Sequence, residues 1–286
     1  MQGNERIGII GQGYVGTAIK LGFEKNFQIN TYDKFLSDRS THSSIENLIQ
    51  NSDLIFLCLP TPMNSDGSCH LNILLSVLYD LNQLKFLDEK IFIIKSTVPP
   101  GSTDNFKKEF ANLRIVYNPE FLREANFIED FKKQKFIILG GDDLDVKVCS
   151  DVYNVIFPNI KVIKTAPKVA EMTKNLINTF LATKVSFANE IKLICDKSNI
   201  NYEEVIKIAL NDNRLGNSHW DVPGPDLKLG FGGSCFPKDI NSLMSYAKNL
   251  SIDCNVIDGA IKTNNIVRPE KDWEKMVGRA VADEKK

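Results

Sequence analysis

A glycine-rich segment that lies between a short apolar run and a helical pattern most constrains how this chain can fold. It directly follows the strand-like run 6–10 and reads Gly11-Gln12-Gly13-Tyr14-Val15-Gly16. Three glycines at this spacing permit a tight turn, close approach of the backbone to a pyrophosphate, and close packing of the helix on the strand. Because the helix then presents free N–H groups to phosphates, the segment predicts a dinucleotide site on a strand–turn–helix unit.

An acidic residue follows the second predicted strand at a distance that suits the ribose of such a ligand. Asp33 comes directly after the run 28–32 and lies 17 residues beyond Gly16. Its carboxylate can accept hydrogen bonds from ribose hydroxyls and would repel a 2′-phosphate, so the sequence favours NAD over NADP. The positive charge of the next residue, Lys34, weakens this preference slightly.

Strand-like and helical patterns alternate through the first half of the chain. Seven short runs, several almost wholly apolar, predict strands covered on both faces: 6–10, 28–32, 54–59, 91–95, 114–117, 136–139 and 161–163. This alternation predicts an α/β protein whose N-terminal domain, residues 1–166, is a Rossmann doubly wound parallel sheet.

The pattern changes after Pro167. Apolar residues recur at helical spacing from Val169 to Asp196 without Gly or Pro, which predicts a helix of about 28 residues. Further helical patterns follow it, so we expect an all-α domain over residues 167–267. Residues 268–286 are helix-prone and strongly charged, and they predict a charged helical tail.

The composition excludes several classes of protein. Hydrophobic residues make up 43% of the chain, charged residues 25%, and the formal net charge is −1, so nothing indicates a nucleic-acid or anionic-membrane partner. No apolar run reaches the roughly 20 residues that a membrane-spanning helix needs, and the first residues carry no secretory signal. Six scattered cysteines without a Cys-x-x-Cys pair argue against a zinc site and against a disulfide framework. We therefore expect a cytoplasmic protein with no metal site.

The segment 230–239, GFGGSCFPKD, contains a candidate nucleophile. Pro237 suits the first position of a helix, which would place Cys235 just before the helix N-terminus. Free N–H groups and the helix dipole favour the thiolate there, and the thiolate is the nucleophilic form. Asp239 falls within the first turn. The residues alone leave open the alternative that Cys235 is a packed thiol with no chemical role.

Polar residues on the long predicted helix and after two strands form further candidates. Lys174 and Asn178 are spaced i, i+4 and share one helix face, where an ammonium and an amide can stabilise a developing oxyanion. Two solvated side chains are the alternative. The segments 95–101, KSTVPPG, and 118–124, NPEFLRE, follow the fourth and fifth predicted strands. Doubly wound sheets bind ligands at that edge.

Taken together, these segments resemble the UDP-glucose/GDP-mannose dehydrogenase family over residues 6 to about 269. The most specific pieces are GQGYVG at 11–16, PTPMNSDG at 60–67, KSTVPPGST at 95–103, NPEFLRE at 118–124, EMTKNLINTF at 171–180 and GFGGSCFPKD at 230–239. The resemblance implies NAD-dependent oxidation of a nucleotide sugar, most simply UDP-glucose to UDP-glucuronate. It also implies a homodimer built on the long helix at 169–196.

The resemblance implies a role for individual residues. Cys235 would capture the aldehyde as a thiohemiacetal, and Glu120 would be the general base for thioester hydrolysis. The other members of the implied catalytic set are Lys174 and Asn178, which would stabilise oxyanions, Asp239, which would aid the first deprotonation through a water, and Thr97. The implied ligand contacts are Thr61, Ser96 and Glu124 for the cofactor, Phe121, Leu122, Arg123, Phe231 and Gly232 for the sugar diphosphate, and Arg214 for the substrate of the neighbouring subunit.

Two features depart from the family pattern. Typical members have a third, C-terminal domain that binds the nucleotide base, and we expect this chain to lack it. Residues 125–127, Ala-Asn-Phe, stand where the family has Gly, a small or polar residue, and Ala. Two other functions also stay open. A two-electron β-hydroxyacid dehydrogenase pairs a similar sheet domain with a helical one but would leave Cys235 and Glu120 unused, and a nucleotide-sugar or NAD-binding protein would have no catalysis.

Overall fold

The computed structural model describes residues 5–85 and 87–283. All seven predicted strands are present in these residues, each within two residues of its predicted bounds. The elements, in chain order, are β1 (Arg6–Ile10), α1 (Tyr14–Phe23), β2 (Gln28–Tyr32), α2 (Ile45–Gln50), β3 (Leu54–Leu57), α3 (Asn72–Asn82), β4 (Ile91–Ile94), α4 (Ser102–Glu109), β5 (Arg114–Tyr117), α5 (Phe127–Lys132), β6 (Phe136–Gly140), α6 (Asp143–Ile156), β7 (Lys161–Thr165), α7 (Pro167–Lys197), α8 (Tyr202–Ala209), α9 (Phe236–Asn249) and α10 (Asn255–Val267).

The strands form one sheet in the order β2-β1-β3-β4-β5-β6-β7. Neighbouring strands are parallel except β5 and β6, which meet in antiparallel register at Tyr117 and Gly140. Alternate residues of each central strand pack into two separate apolar clusters. In β3, for example, Ile55 belongs to one cluster and Phe56 to the other. Helical cover on both faces explains these apolar strands and confirms the predicted doubly wound sheet.

The carboxyl ends of the parallel strands bring four predicted segments to one edge of this sheet. The glycine loop follows β1, Thr61 follows β3, residues 95–97 follow β4, and residues 118–120 follow β5. These strands are mutually parallel neighbours, so their ends share an edge. The strand order reverses direction between β1 and β3, which is where doubly wound sheets bind ligands.

The chain divides into two compact units at a point inside α7. One unit contains residues up to Thr61 and Leu71–Lys174, and the other contains Pro62–His70 and the residues from Asn175 onward. The predicted domain boundary, at residue 166, lies immediately before the first residue of this helix. Because α7 is one continuous helix of 31 residues, no Gly or Pro marks the point at which its packing partners change. The second unit is helical, and buried residues of α8, α9 and α10 pack against buried residues in the later turns of α7.

The segment after α10 differs from the predicted helical tail. Within residues 268–283, which are the part of this tail that the structure describes, the only helical element is a short 3-10 turn at Asp272–Lys275, and it buries Trp273. Further along, the N–H of Met63 donates to the carbonyl of Ala280 (2.9 Å), and the N–H of Ala282 donates to the carbonyl of Met63 (2.8 Å). This pairing with residue 63 replaces the helix that the local composition favoured.

Candidate active site

The glycine loop after β1 has the geometry that a pyrophosphate requires. Gly11 has a φ of +95°, and a Cβ there would lie 2.3 Å from the carbonyl oxygen of Cys58. A Cβ on Gly16 would lie 1.9 Å from the carbonyl oxygen of Gly11, so close helix–strand packing demands glycine at both positions. A Cβ on Gly13, at the N-terminus of α1, would meet nothing within 4 Å. The loop therefore leaves open space at the second glycine, where a dinucleotide phosphate would bind.

The carboxylate of Asp33 lies directly beside this loop. Its Oδ2 accepts a hydrogen bond from the N–H of Gln12 (2.7 Å), and its Oδ1 accepts from the N–H groups of Phe35 (2.8 Å) and Leu36 (2.9 Å). A carboxylate oxygen can accept two hydrogen bonds, so Oδ2 retains capacity for a ribose hydroxyl. The side chain of Lys34 does not join this set; its Nζ lies 5.9 Å from the ring centroid of Phe35.

Glu120 and Lys174 form a buried ion pair. Nζ of Lys174 lies 3.3 Å from Oε1 of Glu120 and also donates to the Glu120 carbonyl oxygen (2.6 Å). The second carboxylate oxygen of Glu120 accepts the N–H of Leu122 (2.6 Å), and the ring of Phe121 lies 5.1 Å from the ammonium. Both charges are almost completely removed from water, so each depends on the other for compensation. The structure thus joins the predicted general base and the predicted oxyanion-stabilising lysine.

A second buried lysine lies at the same edge of the sheet. Nζ of Lys95 donates to Oδ1 of Asn118 (2.8 Å), and it lies 3.5 Å from the carbonyl oxygen of Pro119. Oδ1 of Asn118 also accepts from the hydroxyl of Tyr153 (2.5 Å), while Nδ2 of Asn118 donates to the carbonyl of Ile138 (2.8 Å). Lys95 therefore helps to hold the turn that leads to the predicted base.

Burial makes the Lys95 ammonium easier to deprotonate. Loss of solvation lowers the pKa of Lys95 to about 8, the Cys58 thiol and the Glu120 carboxylate oppose this change, and the Lys174 ammonium adds to it. Lys95 stood at the start of a segment that the sequence singled out, yet it was not among the predicted site residues. Its position directly after the apolar strand β4 was the available signal, since a lysine there cannot easily reach water.

Three hydroxyl residues at this edge connect neighbouring strand ends. The hydroxyl of Thr61 donates to the carbonyl oxygen of Thr97 (2.8 Å), and the hydroxyl of Ser96 donates to the carbonyl oxygen of Leu59 (2.6 Å). All three hydroxyl side chains are buried. A hydroxyl that donates to the backbone can still accept, so Thr61 and Ser96 keep the capacity to meet a ligand.

Cys235 lies at the N-terminus of α9, where the sequence predicted it. It occupies the N-cap position, with Pro237 in the first turn, and its carbonyl accepts the N–H of Asp239 (3.0 Å). The side chain is half-buried, and its Sγ lies 3.8 Å from Oγ of Ser234. The thiol therefore lies beside the first turn of α9, next to Ser234.

Asp239, in the first turn of α9, is buried and bonded on both carboxylate oxygens. Nδ2 of Asn178 donates to one oxygen (2.6 Å), and Nζ of Lys238 donates to the other (2.5 Å). Burial by itself lowers the pKa of Lys238, but the nearby Asp239 carboxylate and Cys235 thiol outweigh it and raise that pKa above its ordinary value. Lys238 lies within the segment 230–239 but was not among the predicted site residues; its place between Cys235 and Asp239 was the available signal.

Three other predicted contacts, Arg123, Glu124 and Arg214, are exposed. The Arg214 side chain is 89% exposed and pairs with Asp212 two residues earlier. Arg123 is also exposed, and it pairs with Asp130. Glu124 begins an exposed 3-10 turn. By contrast, Phe231 is buried against Phe236 in the first turn of α9.

Comparison with known families identifies the chain. The NAD-binding domain of the UDP-glucose/GDP-mannose dehydrogenase family matches residues 29–157, and the central domain of the same family matches residues 168–266. The chain belongs to this family. Membership confirms the resemblance predicted from the sequence motifs, and the matched NAD-binding domain confirms NAD as the cofactor of this fold. The glycine loop itself lies N-terminal to the matched range, so its assignment depends on the geometry described above.

Individual dehydrogenases show the same relationship. UDP-glucose 6-dehydrogenase of Rickettsia conorii is 34% identical over 236 residues, which are 80% of this chain and 52% of the relative. The chain spans about half the length of the curated relatives that it matches. The structure of a UDP-glucose dehydrogenase from Pyrobaculum islandicum superimposes with a TM-score of 0.81 at 26% identity, covering 93% of this chain and 69% of that one.

A protein of different chemistry shares the fold. The 3-hydroxyisobutyrate dehydrogenase of Mycobacterium tuberculosis superimposes with a TM-score of 0.76, covering 94% of this chain and 95% of that one, at 14% identity. An identity this low shows the fold alone. Among the residues that the structure describes, no helix has both the length and the apolar character needed to cross a membrane.

Proposed function

We propose that this chain catalyses NAD-dependent, four-electron oxidation of a nucleotide sugar, most simply UDP-glucose to UDP-glucuronate, with Cys235 as the covalent nucleophile. The observation that carries the proposal is the position of Cys235 at the start of α9, in the same turn as a buried Asp239. That carboxylate is held by Asn178 and Lys238. A cysteine that served only in packing would need neither a position at a helix N-terminus nor charged side chains around it.

The first oxidation requires removal of a proton and a hydride from the alcohol. NAD, when bound, is the hydride acceptor in both oxidations. Asp239 takes the hydroxyl proton through a water, and the Lys174 ammonium and the Asn178 amide stabilise the developing negative charge on oxygen. The buried pairing of Asp239 with Asn178 keeps both groups oriented, because neither has to be reoriented from bulk water during the reaction.

The second oxidation explains the need for a thiol. An aldehyde carbon bears no hydroxyl whose oxygen can expel the hydride from that carbon, so the Cys235 thiolate adds to it and forms a thiohemiacetal. Loss of the second hydride and the hydroxyl proton leaves a thioester. Glu120 then takes a proton from water, which attacks the thioester carbon and releases the carboxylic acid and the thiolate. The Lys174 ammonium beside Glu120 supports this role, since it can stabilise the oxyanion formed in that attack.

Product stoichiometry tests this proposal. Purified protein is incubated with NAD and, separately, with UDP-glucose, GDP-mannose and a UDP-N-acetylhexosamine, and NADH and sugar acid are both measured. We expect two NADH for each acid formed with at least one of these nucleotide sugars. One NADH per substrate, together with turnover of a β-hydroxyacid, would instead favour the two-electron dehydrogenase whose fold this chain shares. Tight NAD binding without turnover would favour a binding protein.

We also propose a homodimer formed through α7. Val169, Leu176, Phe180, Phe187 and Ile194 are between 51% and 62% exposed. Their spacing of seven, four, seven and seven residues places them on one face of the helix. Exposed apolar stripes of this length mark interaction surfaces, and a second copy of the same helix offers a matching stripe.

We further propose a cytoplasmic, reducing setting. The six cysteines all lie in the described part of the chain, and none of them forms a disulfide there. Proteins of oxidising compartments usually use such residues as cross-links. A reactive Cys235 thiol would also be preserved best in a reducing environment.

A further inference from the structure

A second glycine-rich loop, at residues 230–233, directly precedes Ser234 and Cys235. Side-chain amides hold it in place, rather than regular secondary structure. Oδ1 of Asn264, on α10, accepts the N–H of Phe231 (2.7 Å), and Nδ2 of Asn264 donates to the Phe231 carbonyl (3.0 Å). Oδ1 of Asn189, on α7, accepts the N–H of Gly230 (3.1 Å). One amide therefore substitutes for a neighbouring strand, and a second satisfies the adjacent N–H.

Arg268 lies directly beneath the same loop. It follows the last residue of α10 and is only 2% exposed, although it is the largest fully buried side chain of the described residues. Its guanidinium donates to Asp226 (2.7 Å), to both carboxylate oxygens of Asp272 (2.8 and 2.9 Å), and to the carbonyl of Leu229 (3.3 Å). The two carboxylates compensate the buried charge, and they fix the plane of the guanidinium.

The backbone of the loop packs on that plane so closely that a side chain is excluded. A Cβ on Gly232 would lie 2.4 Å from Nη2 and 2.5 Å from Cζ of Arg268. A Cβ on Gly230 would lie 2.3 Å from Oδ1 of Asn264. Gly233 differs, because a Cβ there would meet nothing within 4 Å. Gly230 and Gly232 thus pack directly against other residues, while Gly233, which precedes Ser234 and Cys235, faces open space.

We propose that Arg268 is a positioning residue for Cys235: its fixed guanidinium plane, with Asn264, sets the path of residues 230–233 and thereby holds the thiol at the N-terminus of α9. The inference rests on the proposed function only in assigning chemical importance to that thiol. The edge-on contact between Phe231 and Phe236 extends the same support into the first turn of the helix. Lysine cannot replace Arg268, since an ammonium offers neither the planar surface nor the forked donors.

The rate at which iodoacetamide alkylates Cys235 tests this inference without requiring turnover. Modification is followed at pH 7 by mass spectrometry of the peptide that contains Cys235, in the full chain. We expect Arg268→Lys and Gly232→Ala each to slow alkylation about tenfold, because the path of residues 230–233 changes and the thiol is no longer held in its place at the N-terminus of α9. Lys228→Met is the matched control: Lys228 bonds to the same Asp272 carboxylate (2.8 Å), but it is bonded to neither glycine.

A double variant separates positioning from general loss of stability. In an Arg268→Ala background, the Cβ introduced by Gly232→Ala no longer meets a guanidinium, so its effect on the alkylation rate should shrink to less than twofold. Wild-type alkylation in Arg268→Lys, or equal slowing in Lys228→Met, would overturn the inference. So would full additivity in the double variant. If instead Cys235→Ala formed acid at the normal rate, the proposed function would fail while these alkylation rates kept their meaning.

Discussion

Because Lys95 is buried, the free energy of unfolding should depend on pH in alkaline solution, and the size of this dependence can be calculated. Burial lowers the pKa of Lys95 from its ordinary value of 10.5 to about 8. In the unfolded chain the same ammonium is hydrated and keeps its proton up to about pH 10.5. Between these values the unfolded state binds more protons than the folded state, so the free energy of unfolding rises with pH in this window.

The variant Lys95→Met removes this titration. For a difference between pKa values of about 8 and 10.5, the linkage relation gives a change of about 2 to 3 kcal/mol between pH 7 and pH 10. We therefore expect the wild-type protein to gain about that much stability relative to Lys95→Met over this range. Cys58, Glu120 and Lys174 also act on the Lys95 charge.

Urea unfolding followed by far-ultraviolet circular dichroism at pH 7, 8.5 and 10 measures this difference. Lys132→Met is the control, because that side chain is 63% exposed on α5 and the stability of its variant should follow the wild type at every pH. If the difference in free energy of unfolding between wild type and Lys95→Met were the same from pH 7 to pH 10, the lowered pKa of Lys95 would be refuted. An opposite slope would show that the folded state holds the proton more tightly than the unfolded chain.

Three further predictions concern the cofactor, the site and the assembly. Asp33→Ala should weaken NAD binding about tenfold in isothermal titration calorimetry, because a ribose acceptor is lost; an unchanged Kd would remove Asp33 from the site. Asn178→Ala should lower kcat about a hundredfold with little change in KM, since it removes a donor to Asp239 and to the transition state; an unchanged kcat would contradict this role. Phe180→Asp should convert a dimer to a monomer in light scattering, and a persisting dimer would exclude the α7 stripe.

Local patterns predicted the sheet domain well because they are direct consequences of covalent spacing. Apolar runs bounded by turns became β1 to β7, and the glycines at 11 and 16 became positions where a Cβ has no room. Pro237 similarly predicted where α9 begins and hence where Cys235 lies. In each case, the information resides in residues that are near one another in the chain.

Contacts between distant residues were harder to predict. Glu120 and Lys174 are 54 residues apart, and only the family resemblance suggested that both belong to one site. Three other features also depend on tertiary packing. They are the burial of Lys95, the contacts of Asn264 and Arg268 with the loop at residues 230–233, and the backbone pairing around Met63. Propensity alone favoured a helix for the tail that begins at residue 268, but Ala280 and Ala282 in its described part pair instead with Met63, some 220 residues earlier.

Intact-protein mass spectrometry tests the covalent role of Cys235 most directly. The variant Glu120→Gln should form the thioester but hydrolyse it slowly, so incubation with NAD and a nucleotide sugar should leave an adduct of sugar-nucleotide mass that hydroxylamine removes. Peptide mapping should place that adduct on Cys235, and Glu120→Gln combined with Cys235→Ala should show none. An adduct that persists without Cys235, or acid formation by Cys235→Ala at the wild-type rate, would contradict the account.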